Sequence, residues 1–379
     1  MANQTTPRSY RIHVPTTYDQ DAPIMLVMDF HGYYQTEFDE EKLSGLVAGS
    51  DDDNYIVIFP HGGGDSGEIQ SWNAVGTTEQ ETKAFGKTCN TDRGTWGYYD
   101  CYNSCIKTVG CVQKSTCLCS SCYDDRYFVT HILDDVLRSL CIAESHVHAT
   151  GYSNGGMMAY EVGTHLSTHF ASIAPTASAP LLGFNVGPTQ QQVSILDFHG
   201  TGDDIIPGNT SQSYRGNVAP HDATFSSDGF YYTSTVDVMK VWAGINKCGS
   251  KIQPKKWPTA YDGVKGLSCV EPYGSSCRGG ARVVQCVGSW GHTNAFDWWT
   301  PKMYPSVAYQ FFAMTPQVGP DGERRAGVAA QYTYKGMRGK SLTAPELTIA
   351  RGDESAEQRS LREAKQTHHA AWLQKRIGR

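Results

Sequence analysis

The chain has 379 residues, of which 39% are hydrophobic and 18% are charged. This composition provides enough apolar side chain for a buried core, so it predicts a globular protein and excludes a chain that is disordered throughout. Residues 317–379 carry 12 Lys and Arg against 7 Asp and Glu, whereas the preceding 316 residues carry 20 against 31. A body this acidic repels phosphate backbones, which argues against nucleic acid as a partner.

Twelve cysteines are present, and seven of them lie between Cys89 and Cys122. Such a number is typical of disulfides in an oxidising compartment, so we expect an extracellular (secreted) protein. The segment MANQTTPRSYRIHV shows no apolar stretch of the signal-peptide kind. The longest aliphatic run, IMLVM at 24–28, is far shorter than a membrane span, so we expect none.

Short apolar runs bounded by Gly, Pro or Asp recur along the chain and predict buried strands. In order they are YRIHV near 10, IMLVMDF at 24, YIVIF at 55, HVHATG at 146, ASIAP at 171, VSILDFHG at 193 and ARVVQCVG at 281. Helical patterns lie between several of them, at 37–47, 128–140, 156–166, 233–244 and 305–312. This alternation predicts an α/β fold, with a mostly parallel sheet covered by helices on both faces.

Two segments depart from that alternation. Residues 89–122 are rich in Cys, Ser, Thr, Gly and Tyr without a period of 2 or 3.6, which predicts a surface insertion held by disulfides. A metal site is the competing interpretation because CLCSSC at 117–122 places three thiols close together, but zinc sites usually have two separated CxxC-like pairs. The second segment is the tail of the chain, in which Lys and Arg outnumber Asp and Glu. We therefore divide the chain into a catalytic domain at 1–315 and a basic, partly disordered tail at 316–379 with one candidate helix.

The sequence HVHATGYSNGGMMAYEV contains the strongest chemical signal, a GxSxG pattern centred on Ser153. An apolar strand leads into the pattern and an apolar helix follows it, which is the strand, sharp turn and helix that expose a nucleophilic serine. Glycines are required because such a turn leaves no room for side chains. The alternative is an ordinary serine in a tight turn.

A serine hydroxyl needs a base and an orienting acid, which follow in the order Ser, Asp, His in this architecture. Asp203 follows one predicted strand and His292 follows the last one, where a parallel sheet places its chemistry. Asp204 remains an alternative to Asp203. The further alternatives are Asp237, His221 and His199, and the last of these is more typical of a buried, hydrogen-bonded histidine.

Two glycine motifs are candidates for the oxyanion hole, HGYY at 31–34 and HGGG at 61–64. The donor should come from a loop that leaves a strand and enters the first helix, and only HGYY does so. We therefore predict that the backbone N–H groups of Tyr33 and Asn154 form the oxyanion hole, and that HGGG is a structural turn beside the cleft. Tyr34 is a candidate for substrate contact.

Seven motifs occur in order: HGYYQT, SWNAVG, DDRYFVTHILDDVL, GYSNGGMMAYEV, HGTGDDIIP, NKCG and GHTNAF. As a set, over residues 8–313, they resemble the family of polyhydroxybutyrate-depolymerase-like and feruloyl esterases, which are secreted α/β-hydrolases. The resemblance implies an α/β-hydrolase fold with Ser153, Asp203 and His292 as triad and Tyr33 in the oxyanion loop. It also implies a cleft position for Trp72, for which a core aromatic is an equal alternative, and a disulfide between Cys248 and Cys277.

The chain departs from the family pattern in its long seven-Cys insertion and in GHTNAF where GHTWP is usual. The expected activity is nevertheless that of a serine esterase without metal or organic cofactor, acting on an ester substrate that is polymer-linked, as in feruloyl esterases. Hydrolysis of an aliphatic polyester or a short acyl ester is the alternative within this chemistry. An inactive hydrolase fold that binds carbohydrate or protein is the alternative of another class, and the complete triad argues against it.

Overall fold

The computed structural model describes residues 8–64, 69–90, 99, 101–111, 117–185, 189–216, 218–274, 277–292 and 302–319. The chain divides into two compact units, Met1–Tyr334 and Lys335–Arg379. The second unit, which holds the candidate helix of the tail, lies outside the described residues. Gln317 still belongs to the first body, because its N–H donates to the carbonyl of Ser145 (2.8 Å).

Thirteen strands occur in the described residues. They are β1 Tyr10–His13, β2 Ile24–Phe30, β3 Tyr55–Pro60, β4 Glu81–Thr82, β5 Gly86–Lys87, β6 Ile142–Tyr152, β7 Ser172–Thr176, β8 Ser194–Gly200, β9 Thr224–Phe225, β10 Tyr231–Tyr232, β11 Lys255–Lys256, β12 Ser268–Glu271 and β13 Val283–Gly288. Every predicted strand is present. β4 pairs with β5 and β9 with β10, while the other nine strands form one large sheet.

The large sheet has the strand order β1-β3-β2-β6-β7-β8-β13-β12-β11. Its six central strands are parallel, and antiparallel strands cover both edges. All seven residues of β2 are buried because helices cover both faces, and this explains its continuous apolar sequence. Leu26 and Met28 belong to one hydrophobic core, whereas Met25 and Val27 belong to the core on the opposite face. This is the predicted α/β-hydrolase fold.

The part of the chain that the structure describes contains seven α-helices: α1 Glu37–Leu43, α2 Leu46–Asp53, α3 Asn103–Val109, α4 Asp125–Ser139, α5 Asn154–His165, α6 Thr235–Ile245 and α7 Met303–Ala313. The prediction of a single helix at 37–47 is wrong, because the helix is interrupted between α1 and α2. Gly45 adopts a left-handed φ of 73° at this break, a conformation that glycine adopts at little cost. The other four predicted helices are present within three residues of their expected bounds.

Disulfides staple the insertion, as expected. The pairs are Cys89–Cys117, Cys101–Cys111 and Cys105–Cys122. Around the last two pairs, Tyr102 and Leu118 form a small hydrophobic cluster with the cysteines. The short helix α3 lies inside this segment and was not predicted. Cys119 remains a buried thiol whose Sγ donates to the carbonyl of Thr77 (3.5 Å).

Two further disulfides lie near the end of the sheet. Cys248 pairs with Cys277, which confirms the pairing that the resemblance implied. No sequence pattern indicated the Cys269–Cys286 pair, which joins directly opposite residues of the neighbouring strands β12 and β13. No helix of the described residues is long and apolar enough to cross a membrane.

Candidate active site

Ser153 lies on a sharp turn between a central strand and a helix. β6 ends at Tyr152 and α5 begins at Asn154, so Ser153 is the only residue between them. Its φ of 55° and ψ of −118° are strained for a residue with a side chain. A Cβ on Gly155 would lie 1.9 Å from the carbonyl oxygen of Phe30, and one on Gly151 would lie 2.5 Å from the backbone of Gly155. The two glycines therefore permit the close approach that exposes the serine at the sheet edge.

His292 follows the end of β13 and contacts both of its predicted partners. Its Nε2 lies 3.0 Å from Ser153 Oγ, and its Nδ1 lies 2.9 Å from Asp203 Oδ2. The carboxylate can only accept a hydrogen bond, so Nδ1 carries the proton and Nε2 is left to accept one from the serine. The structure thus brings three residues that are distant in sequence into one hydrogen-bonded chain.

Asp203 is held as an anion in a buried position. Its Oδ1 accepts hydrogen bonds from the backbone N–H groups of Ile205 (3.0 Å) and Ile206 (2.8 Å). Burial alone would raise its pKa, but the charge and hydrogen bond of His292, with a smaller contribution from His199, lower the pKa below its ordinary value. An ionised carboxylate is what orients and stabilises a histidine that takes up a proton.

Backbone hydrogen bonds join the loop that carries Asp203 to the loop that carries His292. Asp203 follows β8 and His292 follows β13, and these strands are neighbours in the sheet. The N–H of Thr201 donates to the carbonyl of Gly288 (2.9 Å), and that of Gly202 donates to the carbonyl of Trp290 (2.8 Å). The backbone therefore sets the spacing between carboxylate and imidazole.

None of the alternative acids or bases joins this chain. Asp204 and His221 are exposed, and the Asp237 carboxylate accepts from Ser234 Oγ at the start of α6 (3.0 Å). His199 is buried, and its Nε2 lies 3.6 Å from Asp203 Oδ2, the carboxylate oxygen that His292 Nδ1 contacts at 2.9 Å.

The predicted oxyanion loop follows β2 and lies against the serine turn. A Cβ on Gly32 would lie 2.8 Å from the ring of Tyr152, so the loop passes close to the residue before Ser153. Tyr33 and Tyr34 are both half-buried. Tyr34 has a positive φ of 75° and donates its N–H to the carbonyl of Gln70 (3.3 Å). The roles of Tyr33 in oxyanion binding and of Tyr34 in substrate contact remain predictions.

Asn154 is anchored by its side chain to the backbone of Trp72. Its Oδ1 accepts from the Trp72 N–H (2.7 Å) and its Nδ2 donates to the Trp72 carbonyl (3.2 Å). The backbone N–H of Asn154 belongs to the first residue of α5, where helix N–H groups lack intrahelical acceptors. This is the geometry that a second oxyanion donor requires, and the assignment to Asn154 remains a prediction.

The cleft position suggested for Trp72 does not agree with the structure. Its side chain has 0% exposure, its ring centroid lies 5.1 Å from that of Phe30, and its Nε1 donates to the carbonyl of His31 (2.8 Å). A residue this deeply packed beneath the oxyanion loop has no surface for substrate. The alternative interpretation, a core aromatic, describes it.

The HGGG segment contacts the predicted oxyanion loop through a hydrogen bond to His31. The N–H of Gly62 donates to His31 Nε2 (2.8 Å), and His31 Nδ1 donates to the carbonyl of Gly32 (2.8 Å). Burial lowers the pKa of His31 to about 4, so the ring is neutral and can accept at one nitrogen while it donates at the other. This arrangement matches the interpretation of HGGG as a structural turn.

Tyr99 of the insertion lies beside the oxyanion loop, although no sequence signal indicated it. Its ring meets that of Tyr33 edge-on at 5.5 Å, and its hydroxyl donates to Asp228 Oδ2 (2.7 Å). Asp228 lies in the turn between β9 and β10. The insertion therefore contacts the predicted oxyanion loop directly.

Among the described residues, no group of three or more His, Cys, Asp or Glu side chains could hold a metal ion.

No known family profile matches the chain. A feruloyl esterase B of Piromyces equi is 26% identical over 178 residues, which are 46% of this chain and 30% of that protein. A bifunctional acetylxylan esterase/xylanase of Neocallimastix patriciarum is 20% identical over 199 residues, 52% of this chain and 22% of that protein. This chain therefore matches less than a third of the length of either relative.

Among solved structures, an acetyl xylan esterase from Aspergillus awamori superimposes with a TM-score of 0.46 at 15% identity, covering 83% of this chain and 97% of that one. By sequence, the chain is a low-identity homologue of feruloyl and acetylxylan esterases over about half of its length.

Proposed function

We propose that this protein is a serine carboxylic-ester hydrolase whose catalytic residues are Ser153, His292 and Asp203. The observation that carries the proposal is the continuous hydrogen-bonded chain from the strained serine through the imidazole to the ionised carboxylate. The homology to esterases supports it independently. No metal or organic cofactor is required for this chemistry.

The proposed reaction begins when His292 Nε2 takes the proton of Ser153 Oγ as the oxygen attacks the ester carbonyl. Asp203 stabilises the imidazolium and keeps its orientation. The backbone N–H groups of Tyr33 and Asn154 would then bind the oxyanion, and one such donor typically contributes about 10² to 10³ in rate. His292 protonates the leaving alcohol, and water attacks the acyl-enzyme by the same route.

For the substrate, we propose a hydroxycinnamate ester on plant cell-wall polysaccharide, the feruloyl esterase reaction. The support is that the Piromyces equi relative is a feruloyl esterase, together with the tyrosines around the predicted oxyanion loop, Tyr33, Tyr34 and Tyr99. An acetyl ester of xylan is the second candidate because the Neocallimastix patriciarum relative is an acetylxylan esterase/xylanase. Five disulfides support an extracellular location.

The test compares release of ferulate from feruloylated arabinoxylan with release of acetate from acetylated xylan, using Ser153→Ala as the blank. A higher kcat/KM for ferulate release supports the first candidate, and a higher value for acetate supports the second. Short hydroxybutyrate oligomers test the polyester alternative in the same assay. Folded protein that hydrolyses none of these and does not react with a fluorophosphonate probe would instead favour a binding module.

A further inference from the structure

A second histidine lies buried beside the proposed catalytic acid. His199 occupies the carboxyl end of β8, and 2% of its surface is exposed. Its Nε2 lies 2.7 Å from the carbonyl oxygen of Ile206 and 3.6 Å from Asp203 Oδ2, while its Nδ1 lies 3.6 Å from Asp197 Oδ1. The imidazole therefore lies between two carboxylates, one of which is the partner of His292.

The contacts of His199 indicate that both ring nitrogens carry a proton. A carbonyl oxygen only accepts, so Nε2 donates to Ile206. Nδ1 lies 3.6 Å from Oδ1 of the fully buried Asp197, just beyond hydrogen-bond distance, and among the described residues neither atom has another hydrogen-bond partner. Burying an unpaired carboxylate is unfavourable, and a proton on Nδ1 of His199 would supply the compensating positive charge.

The charge balance agrees with this protonation. Burial alone lowers the pKa of His199, but the contact with Asp197 and the charges of Asp197 and Asp203 outweigh it and raise the pKa to about 9. The ring is also enclosed, since a Cβ on Gly208 would lie 3.0 Å from it. The remaining titratable groups that face this centre through the two carboxylates are His292, Tyr152, Tyr160 and Tyr232.

We propose that His199 is a positioning residue of this esterase, a buried imidazolium that partly offsets the charge of Asp203 and holds the acid loop through the carbonyl of Ile206. The inference rests on the proposed function. The same loop supplies the N–H groups of Ile205 and Ile206 that bind Asp203 Oδ1, so one ring supports both the charge and the position of the carboxylate.

The charge of His199 has a measurable consequence for the pH dependence of the reaction. A cation beside Asp203 weakens the attraction between that carboxylate and the imidazolium form of His292. Because kcat/KM requires neutral His292 as the base, removal of the cation moves the acid limb of the profile to higher pH. A unit charge beside Asp203, partly screened by the surrounding protein, shifts the acid limb of the kcat/KM profile by about one pH unit.

The experiment measures kcat/KM for p-nitrophenyl acetate between pH 4 and 9 in the wild-type protein and in His199→Gln. Glutamine is neutral and retains an N–H donor for Ile206. We expect the acid limb to rise by about one pH unit and the plateau to fall about tenfold. Asp197→Asn, which removes the anion that keeps His199 charged, should shift the limb in the same direction by less. His221→Gln, which changes an exposed histidine, is the matched control and should leave the profile unchanged.

A folded His199→Gln protein with the wild-type acid limb would overturn the inference. If that variant does not fold, imidazole ¹⁵N chemical shifts of His199 in the Ser153→Ala protein decide the question. Two protonated nitrogens at pH 7 support the inference, and one overturns it. This readout needs no turnover, so it stays distinct from failure of the proposed function, which would appear as absent hydrolysis and absent fluorophosphonate labelling in the wild-type protein.

Discussion

Among the described residues, two hydrogen-bonded Ser–His pairs join positions that are distant in the chain, and only one of them has the setting of a catalytic site. In the first pair, Ser153 and His292 meet at the carboxyl edge of the sheet. In the second pair, Ser172 and His148 lie opposite each other in the neighbouring strands β6 and β7, with 2.7 Å between Oγ and Nδ1. The hydrogen bonds are alike, so the chemistry of the two groups alone does not distinguish the pairs.

The surroundings of the pairs differ in three respects. Ser172 and His148 have 0% exposure, whereas Ser153 and His292 each retain 9%. The second nitrogen of His292 contacts Asp203, whereas Nε2 of His148 has no hydrogen-bond partner among the described residues. Ser153 lies on a strained turn, whereas Ser172 is an ordinary strand residue. Exposure, strain and a carboxylate therefore mark the site.

The largest expected effect separates the two serines. Ser153→Ala should lower kcat for p-nitrophenyl acetate by about 10⁴ to 10⁶ and abolish fluorophosphonate labelling, because the nucleophile is lost. Ser172→Ala should keep labelling and stay within a few fold of wild-type activity, since no substrate reaches its position. Labelling that survives Ser153→Ala but not Ser172→Ala would reverse the assignment.

The next largest effect tests the Asp203 carboxylate, which has no counterpart beside Ser172 and His148. Asp203→Asn should lower kcat by about 10³ to 10⁴ because the amide favours the wrong tautomer of His292. Asp204→Asn is the matched control, since this neighbour is exposed, and it should remain close to wild type. Equal losses in both variants would show that the loop, and not the carboxylate of Asp203, is required.

The two serine variants should rank in the opposite order for stability, with the larger loss in Ser172→Ala. Ser172→Ala leaves His148 Nδ1 and Thr315 Oγ1 without a shared buried partner, so we expect the free energy of unfolding to fall by about 1 to 3 kcal/mol. Ser153→Ala should change it by less than about 0.5 kcal/mol, as expected for a residue whose role is catalytic. Urea unfolding with the disulfides intact measures both values. A larger cost for Ser153→Ala would contradict the comparison.

The smallest expected effect concerns the free energy of unfolding at acidic pH. Burial, with a smaller contribution from His146, holds the pKa of His148 well below its ordinary value, so the folded state keeps this ring neutral where the unfolded chain is protonated. Below about pH 6.5 the unfolded state therefore binds more protons, and the free energy of unfolding falls as the pH falls, by about 1.4 kcal/mol per pH unit for such a histidine.

His148→Asn tests this slope, because asparagine can keep a donor near Ser172 and does not titrate. The loss of unfolding free energy between pH 6.5 and 5 should be smaller in this variant by about 1.4 kcal/mol per pH unit. The wild-type protein, measured by urea unfolding at each pH, is the reference. An unchanged slope would show that His148 is already protonated in the folded protein.

Sequence patterns predicted the strands because a parallel sheet buried on both faces needs continuous apolar runs, which are visible locally. The serine turn was also predictable, since the glycines around Ser153 are adjacent to it in the chain. The break at Gly45 was missed because the apolar pattern continues across it. The burial of Trp72 and the contact between Tyr99 and Tyr33 depend on segments that meet only after folding.

The sequence by itself determined the apolar strands, four of the helices, the serine turn and the residue types available for an acid and a base, because these follow from side chains near one another along the chain. Only the tertiary structure decided that Asp203 and not Asp204 faces His292, that Ser172 and His148 are enclosed, and that His199 lies between Asp197 and Asp203. The reason is physical: distances, burial and charge balance between distant residues arise from the packing of β6, β7, β8 and β13, and no local pattern contains them.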